Sequence, residues 1–262
     1  MADKRLLADA AQGAAEIALS YWRNDPKTWE KPGDEGPVTE ADLAVDAYLR
    51  ETLMRARPEY GWMSEETADD PQVRRAKTLF IVDPIDGTRA YARGERTWAH
   101  ALAVVQDGVP IAGVVHLPAR DKLYAAAIGQ GAVFNGVPLD VAREAPPLDR
   151  AHMLVTKPNL AAPLWRDAPP GLTRYFRPSL AYRMALVAEG RFDGMLTLRN
   201  SWEWDVAAGT LLITEAGGVV TDRDGAPLRF NSAARQTAGL IAAPPELHRE
   251  IAARLTPGAV TQ

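Results

Sequence analysis

The residues best suited to chemistry lie in Asp83-Pro84-Ile85-Asp86-Gly87-Thr88, directly after the apolar run Thr78–Val82. Two carboxylates three residues apart at the mouth of a strand can converge on one or two cations. Pro84 stiffens the link between them, and Gly87 lets the backbone approach a ligand closely. A short helix starting near Thr88 would offer free amides to a phosphate. The same residue types also make an ordinary solvated turn, so the segment alone decides nothing.

Three further acidic features bear on the choice. Glu65 and Glu66 follow Ser64; taken alone they read as a charged turn before Asp69 and Asp70. Thr39-Glu40-Ala41-Asp42 opens a helical pattern, with Thr39 as N-cap and Asp42 closing a capping box. A carboxylate fixed there is also placed to orient a water. Asp205 begins an apolar helix within Trp202-Glu203-Trp204-Asp205-Val206-Ala207-Ala208-Gly209. It complements the helix dipole, while the tryptophans and small residues around it suggest a packed site. The tryptophan pair itself reads as core packing.

The elements that must position these residues follow from periodicity and breakers. Residues about 3–23 and 40–57 read as amphipathic helices, joined by a mobile loop over 24–37 rich in Pro, Gly and charge. The run 78–82 is a strand stopped by Pro84 and Gly87. Strands near 98–105, 111–116, 122–128 and 131–134 form an antiparallel meander, with turns at Asp107-Gly108 and Asn135-Gly136. Residues 140–178 are proline-rich, with one candidate strand at 152–156. A helix over 179–189, a strand over 193–198 and a helix from Asp205 to the Gly217-Gly218 cap come next. A hairpin over 219–228, a strand over 239–243 and a helix over 246–255 close the chain. Helices and strands mix without strict alternation, which favours a layered α/β arrangement over a barrel.

Composition narrows the chemistry. The chain has 262 residues and no cysteine, so disulfides, zinc-thiolate sites and thiol nucleophiles are excluded. His100, His116, His152 and His248 are scattered without metal-ligand spacing. Oxygen ligands remain, and they suit hard cations such as magnesium. A formal net charge of −4 with no basic run disfavours nucleic-acid binding. The N-terminal stretch has no signal-like or membrane-length apolar segment, which makes a cytoplasmic location the default.

Taken together and in this order, VTEAD, SEE, DPIDGT and WDVAAG resemble the inositol monophosphatase family, over roughly residues 36–245. The TEAGGVVTD stretch and the FNG turn at 134–136 are similar to the family as well. The resemblance implies a single domain with the αβαβα five-layer sandwich shared with fructose-1,6-bisphosphatase. Its lobes would be about 1–140 and 141–262. It implies a magnesium-dependent phosphatase, using two or three ions, that hydrolyses a small phosphorylated metabolite by activated water. A homodimer and lithium inhibition are further family expectations. Carried over by position, Glu65, Asp83, Asp86, Asp205 and the Ile85 carbonyl would hold metal. Gly87 and Thr88 would cradle phosphate, and Thr88 with Asp42 would position and deprotonate the water. Cations are needed because a phosphate dianion repels an anionic nucleophile.

Rival readings are a haloacid-dehalogenase-like phosphatase, whose two aspartates sit two rather than three residues apart, and a non-catalytic regulatory module. The substrate is a separate question. Leu198 stands where inositol-specific members carry a glutamate, seven residues before the late aspartate. The run Ser179–Gly190 is similar to the 3′(2′),5′-bisphosphate nucleotidase branch, although Pro178 replaces the glycine usual there. Ser179 and Arg183 would then face the leaving group, Arg183 meeting a second phosphate; equally, they read as a helix N-cap and an exposed helix face. Histidinol phosphate and fructose bisphosphate stay open as alternatives.

Overall fold

The computed structural model describes residues 2–31, 36–141 and 144–261. The chain begins with α1 (Ala2–Tyr21), whose Leu7, Ala10, Ala11, Ala14, Ala15 and Ala18 recur at helical spacing and are buried. Strands β1 (Thr28–Glu30) and β2 (Pro37–Thr39) pair antiparallel. They occupy part of the stretch expected to be a mobile loop, while residues 32–35 of that loop lie outside the described residues. Helix α2 (Glu40–Ala56) and strands β3 (Gly61–Ser64) and β4 (Thr78–Asp86) follow. The one-turn helix α3 (Thr88–Ala92) leads into the meander of β5 (Ala99–Gln106), β6 (Val109–Leu117), β7 (Lys122–Ala127), β8 (Ala132–Phe134) and β9 (Val137–Pro138).

The second half contributes β10 (His152–Val155), β11 (Thr173–Tyr175), α4 (Leu180–Ala188), β12 (Gly194–Thr197), β13 (Ser201–Trp202) and α5 (Glu203–Glu215). It ends with β14 (Val219–Thr221), β15 (Gln236–Thr237), β16 (Leu240–Ala243) and α6 (Pro245–Arg254).

Seven strands form one sheet in the order β3 to β9, and five form another in the order β11-β10-β12-β16-β14. Helices α1 and α2 cover the outer face of the seven-stranded sheet. Helices α4 and α5 lie between the sheets, and α6 covers the outer face of the five-stranded one. The layers therefore run αβαβα, as expected. Three apolar cores fill the spaces: one under α1 and α2, a large one around α4 and α5, and one under α6. The α4–α5 contact is close because Gly209 faces Met184; a Cβ there would sit 2.5 Å from the Met184 Cβ.

Three expectations need correction. Strand β4 does not stop at Val82 but continues through Pro84 to Asp86. The pairing with β5 is irregular at this point, and a bulge tolerates a residue without an amide proton. The segment 219–228 is not a hairpin: β14 pairs with β16 across the second sheet, and Asp222-Arg223-Asp224-Gly225 only turns the chain, Asp222 bonding back from Ala226. Finally, 140–178 holds a second strand, β11, parallel to β10 at the sheet edge. It is mostly exposed and lacks an apolar alternation that could announce it.

Candidate active site

Side chains along a regular strand alternate between faces, so residues three apart should point oppositely. On β4 they do not. Asp83 lies opposite Ala101 and Asp86 opposite Ala99, three residues on one strand against two on the other. The extra residue turns both carboxylates to one side. Asp205 joins them from the first turn of α5, and a carboxylate oxygen from each of the three lies within 4.8 Å of the others. Asp83 is 1% exposed, and its Oδ1 has no hydrogen-bond partner among the described residues. Burial, reinforced by Glu65, Asp86 and Asp205, holds the Asp83 carboxyl well above the ordinary range. Burial does the same to Asp205, with Asp86 and Glu65 adding to it. Buried like charges facing one another must be either protonated or neutralised by a cation. All-oxygen donors, an orphaned buried oxygen and convergence fit a hard divalent cation.

Asp86 is the best supported of the three. Its Oδ2 accepts from the Ser179 hydroxyl at 2.6 Å and from the Ala181 amide at 2.6 Å, so the start of α4 points at it. Burial still pushes its pKa up to about 6. Ser179 in turn accepts from the Tyr182 amide at 2.9 Å as the α4 N-cap. The Ser179 side chain is wholly buried and committed to these two contacts, so it orients a carboxylate rather than meeting a leaving group.

Glu65 follows β3 and lines the cleft, but its carboxylate stands apart from the triad and is paired with Lys31 at 2.8 Å. The same ammonium reaches Glu66 at 2.7 Å. Lys31 lay unnoticed in the sequence because a lone lysine in a Pro-, Gly- and charge-rich loop carries no spacing signal. Ser64 donates to Asp46, and Thr67 donates to Asp46 at 2.8 Å, so the Glu65-Glu66 turn is tied at both ends to α2. The Ile85 side chain is fully buried, and its carbonyl accepts from the Thr88 hydroxyl at 3.1 Å.

Thr88 opens α3, and Gly87 before it adopts φ +96°. A Cβ at Gly87 would also lie 3.1 Å from the Thr97 carbonyl, so both backbone and space require glycine. Thr88 lies 3.2 Å from Asp42 Oδ1. The capping box is also formed, with Asp42 Oδ2 accepting from the Thr39 amide at 2.8 Å. Burial raises the Asp42 pKa to about 6 against the lowering effect of its Thr39 and Thr88 hydrogen bonds.

Behind the loop, His100 Nδ1 bonds the Pro84 carbonyl. A carbonyl only accepts, so the proton is on Nδ1. Burial pushes the His100 pKa down to about 3, so the ring is neutral at working pH.

These groups open onto a cleft of about 550 Å³ whose walls include Glu65, Asp86, Gly87, Thr88 and Asp205. The same cleft is lined by Arg89, Arg183, Arg199 and the half-exposed ring of Phe176. A larger groove of about 710 Å³ lies away from this cluster, between the start of β4 and Phe230. It holds none of the convergent carboxylates. Among the described residues no helix is long and apolar enough to cross a membrane.

The model of the inositol monophosphatase family matches residues 4–257. A histidinol-phosphatase from Mycobacterium tuberculosis is 36% identical, the match covering 86% of each chain. A 3′(2′),5′-bisphosphate nucleotidase CysQ from Aggregatibacter actinomycetemcomitans is 32% identical over 85% of each. Among solved structures, an IMPase from Thermotoga maritima superposes with a TM-score of 0.83 at 26% identity, covering 97% of this chain and 96% of that one. The three names carry three different substrates.

Proposed function

This chain belongs to the inositol monophosphatase family, and we propose that it hydrolyses a small phosphate monoester with magnesium, two or three ions, as cofactor. The observation that carries this reading is the convergence of Asp83, Asp86 and Asp205 beside the Thr88–Asp42 contact. Asp83, Asp86, Asp205, Glu65 and the Ile85 carbonyl would hold the metal, Glu65 exchanging its contact with Lys31. Bound magnesium would supply positive charge against the phosphate dianion and make a nearby water more acidic.

The chain's own groups supply the rest. Gly87 and Thr88 present backbone amides where the chain turns into α3, on the cleft side of the triad. The Thr88 hydroxyl takes a proton from the attacking water as it passes its own to Asp42 Oδ1. An Asp42 pKa of about 6 suits that task, because a general base works best near the operating pH. Water then adds to phosphorus and the substrate alkoxide leaves. The arginines lining the cleft meet the negative charge of the substrate. A homodimer in the cytoplasm belongs to the same family reading.

Candidate substrates are a 3′(2′),5′-bisphosphate nucleotide and an inositol monophosphate, with histidinol phosphate and fructose bisphosphate as alternatives. Phosphate release from this panel, measured with magnesium and with a chelator, tests the reaction. Turnover that survives complete chelation, or a trapped phosphoryl-aspartate, would overturn it.

A further inference from the structure

The segment that follows α6 returns to the cleft. It is anchored where it leaves the helix: Leu255 pairs antiparallel with Trp165, and the Thr256 amide donates to the Leu164 carbonyl at 3.0 Å. Ala259 is then buried in the core under α6. Two residues on, Thr261 lines the same cleft as Asp86, Thr88 and Asp205. Residues 256–261 form no helix or strand, so contacts with the rest of the chain must fix their path.

The two ends of that path converge on Asn159, which is 2% exposed. Its backbone carbonyl accepts from the Trp165 indole at 3.0 Å. Its side-chain carbonyl accepts from the Thr261 hydroxyl at 3.3 Å and from the Leu198 amide at 3.0 Å. Its side-chain amide donates to the Thr156 hydroxyl at 2.8 Å. A buried amide needs such partners, and these come from three separate stretches of chain. Thr156, Asn159 and Arg199, the neighbour of Leu198, line the cleft as well. Thr261 is thus bonded into the wall that these residues make.

The acidic triad, Gly87 and Thr88 face the phosphate in the reading above. A lining group outside that set meets what lies beyond phosphorus. The Thr261 proton is committed to Asn159, so the side chain offers the cleft bulk rather than a donor. We propose that Thr261 is a specificity-determining residue: held by Asn159, it bounds the leaving-group side of the cleft and limits the size of leaving group that fits. This rests on the phosphatase reading and adds a size limit to it. The limit acts through volume, not charge. A leaving group that overlaps Thr261 must lift the segment off Asn159, losing that hydrogen bond and loosening the burial of Ala259 behind it.

The test uses phenyl phosphate and 2-naphthyl phosphate, which differ by one fused ring. The readout is the naphthyl-to-phenyl ratio of kcat/KM at saturating magnesium, compared between proteins, so that the different chemistry of the two phenols cancels. Thr261→Gly removes both the bulk and the bond to Asn159. It should raise the ratio at least about tenfold, the low end of what one carbon's worth of pocket space discriminates. Thr261→Val keeps the bulk without the bond and should raise it less; a Thr261→Val ratio equal to wild type would remove Asn159 from the proposal. Lost stability lowers both substrates together and leaves the ratio where it was. An unchanged ratio in Thr261→Gly therefore overturns the boundary. If wild type with magnesium turns over neither ester, nor p-nitrophenyl phosphate, the phosphatase reading fails separately. Calorimetric binding of phenylphosphonate and 2-naphthylphosphonate to wild type and Thr261→Gly then decides the boundary. A preference for the phenyl ligand that Thr261→Gly abolishes supports it; the same preference in both proteins, or binding of neither ligand, rejects it.

Discussion

Asp42 divides its carboxylate between two duties: Oδ2 closes the α2 cap on the Thr39 amide at 2.8 Å, while Oδ1 accepts from Thr88 at 3.2 Å. The cap and the proposed proton relay are therefore not alternatives. One group serves both, and variants can separate them. Asp42→Asn and Thr88→Ala should each lower kcat by at least about 100-fold, the scale of a positioned acid–base group. The double variant should cost far less than the product of the two. Thr39→Ala should lose about 1 kcal/mol of stability with a much smaller effect on kcat. Steady-state kinetics and thermal melts on the same four proteins check this. Near-normal kcat in Asp42→Asn would leave Asp42 as a cap alone.

The same carboxyl sets a pH dependence. With a folded pKa of about 6, Asp42 is protonated below that value and cannot act as a base. The acidic limb of kcat should fall toward tenfold per pH unit below about pH 6 and be absent from the residual activity of Asp42→Asn. Stability runs the other way. The folded pKa is raised from 3.8, so the folded state holds the proton more tightly than the unfolded one. That contribution is present in full below pH 3.8 and is lost as pH rises through about 6. Melting temperature measured from pH 4 to 7 should therefore shift in favour of Asp42→Asn as pH rises. A constant difference between variant and wild type would reject the raised value.

The carboxylate triad makes a prediction about metal-free protein. Asp83, Asp86 and Asp205 repel one another in the absence of a cation. Asp83→Asn should melt higher than wild type in chelator. Magnesium should raise the melting temperature of wild type and do little for the variant, in which turnover is lost. Scanning calorimetry with and without magnesium decides it; equal magnesium stabilisation of both proteins would remove Asp83 from the metal site.

His100 should act on the metal loop through the Pro84 carbonyl. His100→Phe keeps the bulk but removes the Nδ1 donor and leaves that carbonyl without it. Half-maximal activity should then need about tenfold more magnesium, a loss of one hydrogen bond's worth of positioning, with a smaller change in kcat at saturation. His100→Asn, which can still donate, should recover part of the affinity. Identical magnesium curves for all three proteins would show the bond to be incidental.

Glu215 offers a stability test remote from the chemistry. Its carboxylate accepts from the amides of Gly129, Gln130 and Gly131 at 2.8, 3.0 and 2.8 Å, fixing the β7–β8 turn to the end of α5. Glu215→Ala should cost about 1–3 kcal/mol in denaturant unfolding, since three donors lose a charged partner. Amide exchange at 129–131 should accelerate with it.

Much of the fold was legible because the signals were local. The periodic alanines and leucines of α1, the Asp107-Gly108 turn and the capping box at Thr39 each announce themselves within a few residues. DPIDGT was legible as chemistry but misread as structure. Pro84 and Gly87 are strong breakers, and only the pairing with β5 shows the strand continuing past the first of them. β14 was given the wrong partner because its true neighbour, β16, lies beyond a turn and a long irregular stretch. The carboxylates of the site could be read from motif order. Lys31, Phe176 and Arg199 could not, since each stands in a segment without period and acquires meaning only from what folds against it.

The bulge in β4 makes the site a matter of parity. Asp83 and Asp86 face the same way because the strand holds one residue more than its partner across that step. Swapping Pro84 for another residue leaves the count intact, and the carboxylates should stay on one side. Adding one residue to β5 between Ala99 and Ala101 would instead equalise the two strands at three steps each, restore simple alternation and send one of the carboxylates through the sheet into the apolar layer opposite. A single-codon gain there is thus a different kind of lesion from any missense change nearby. It removes no ligand from the sequence and yet disassembles the cluster. Libraries that vary these two strands should hold their lengths fixed and let the identities move.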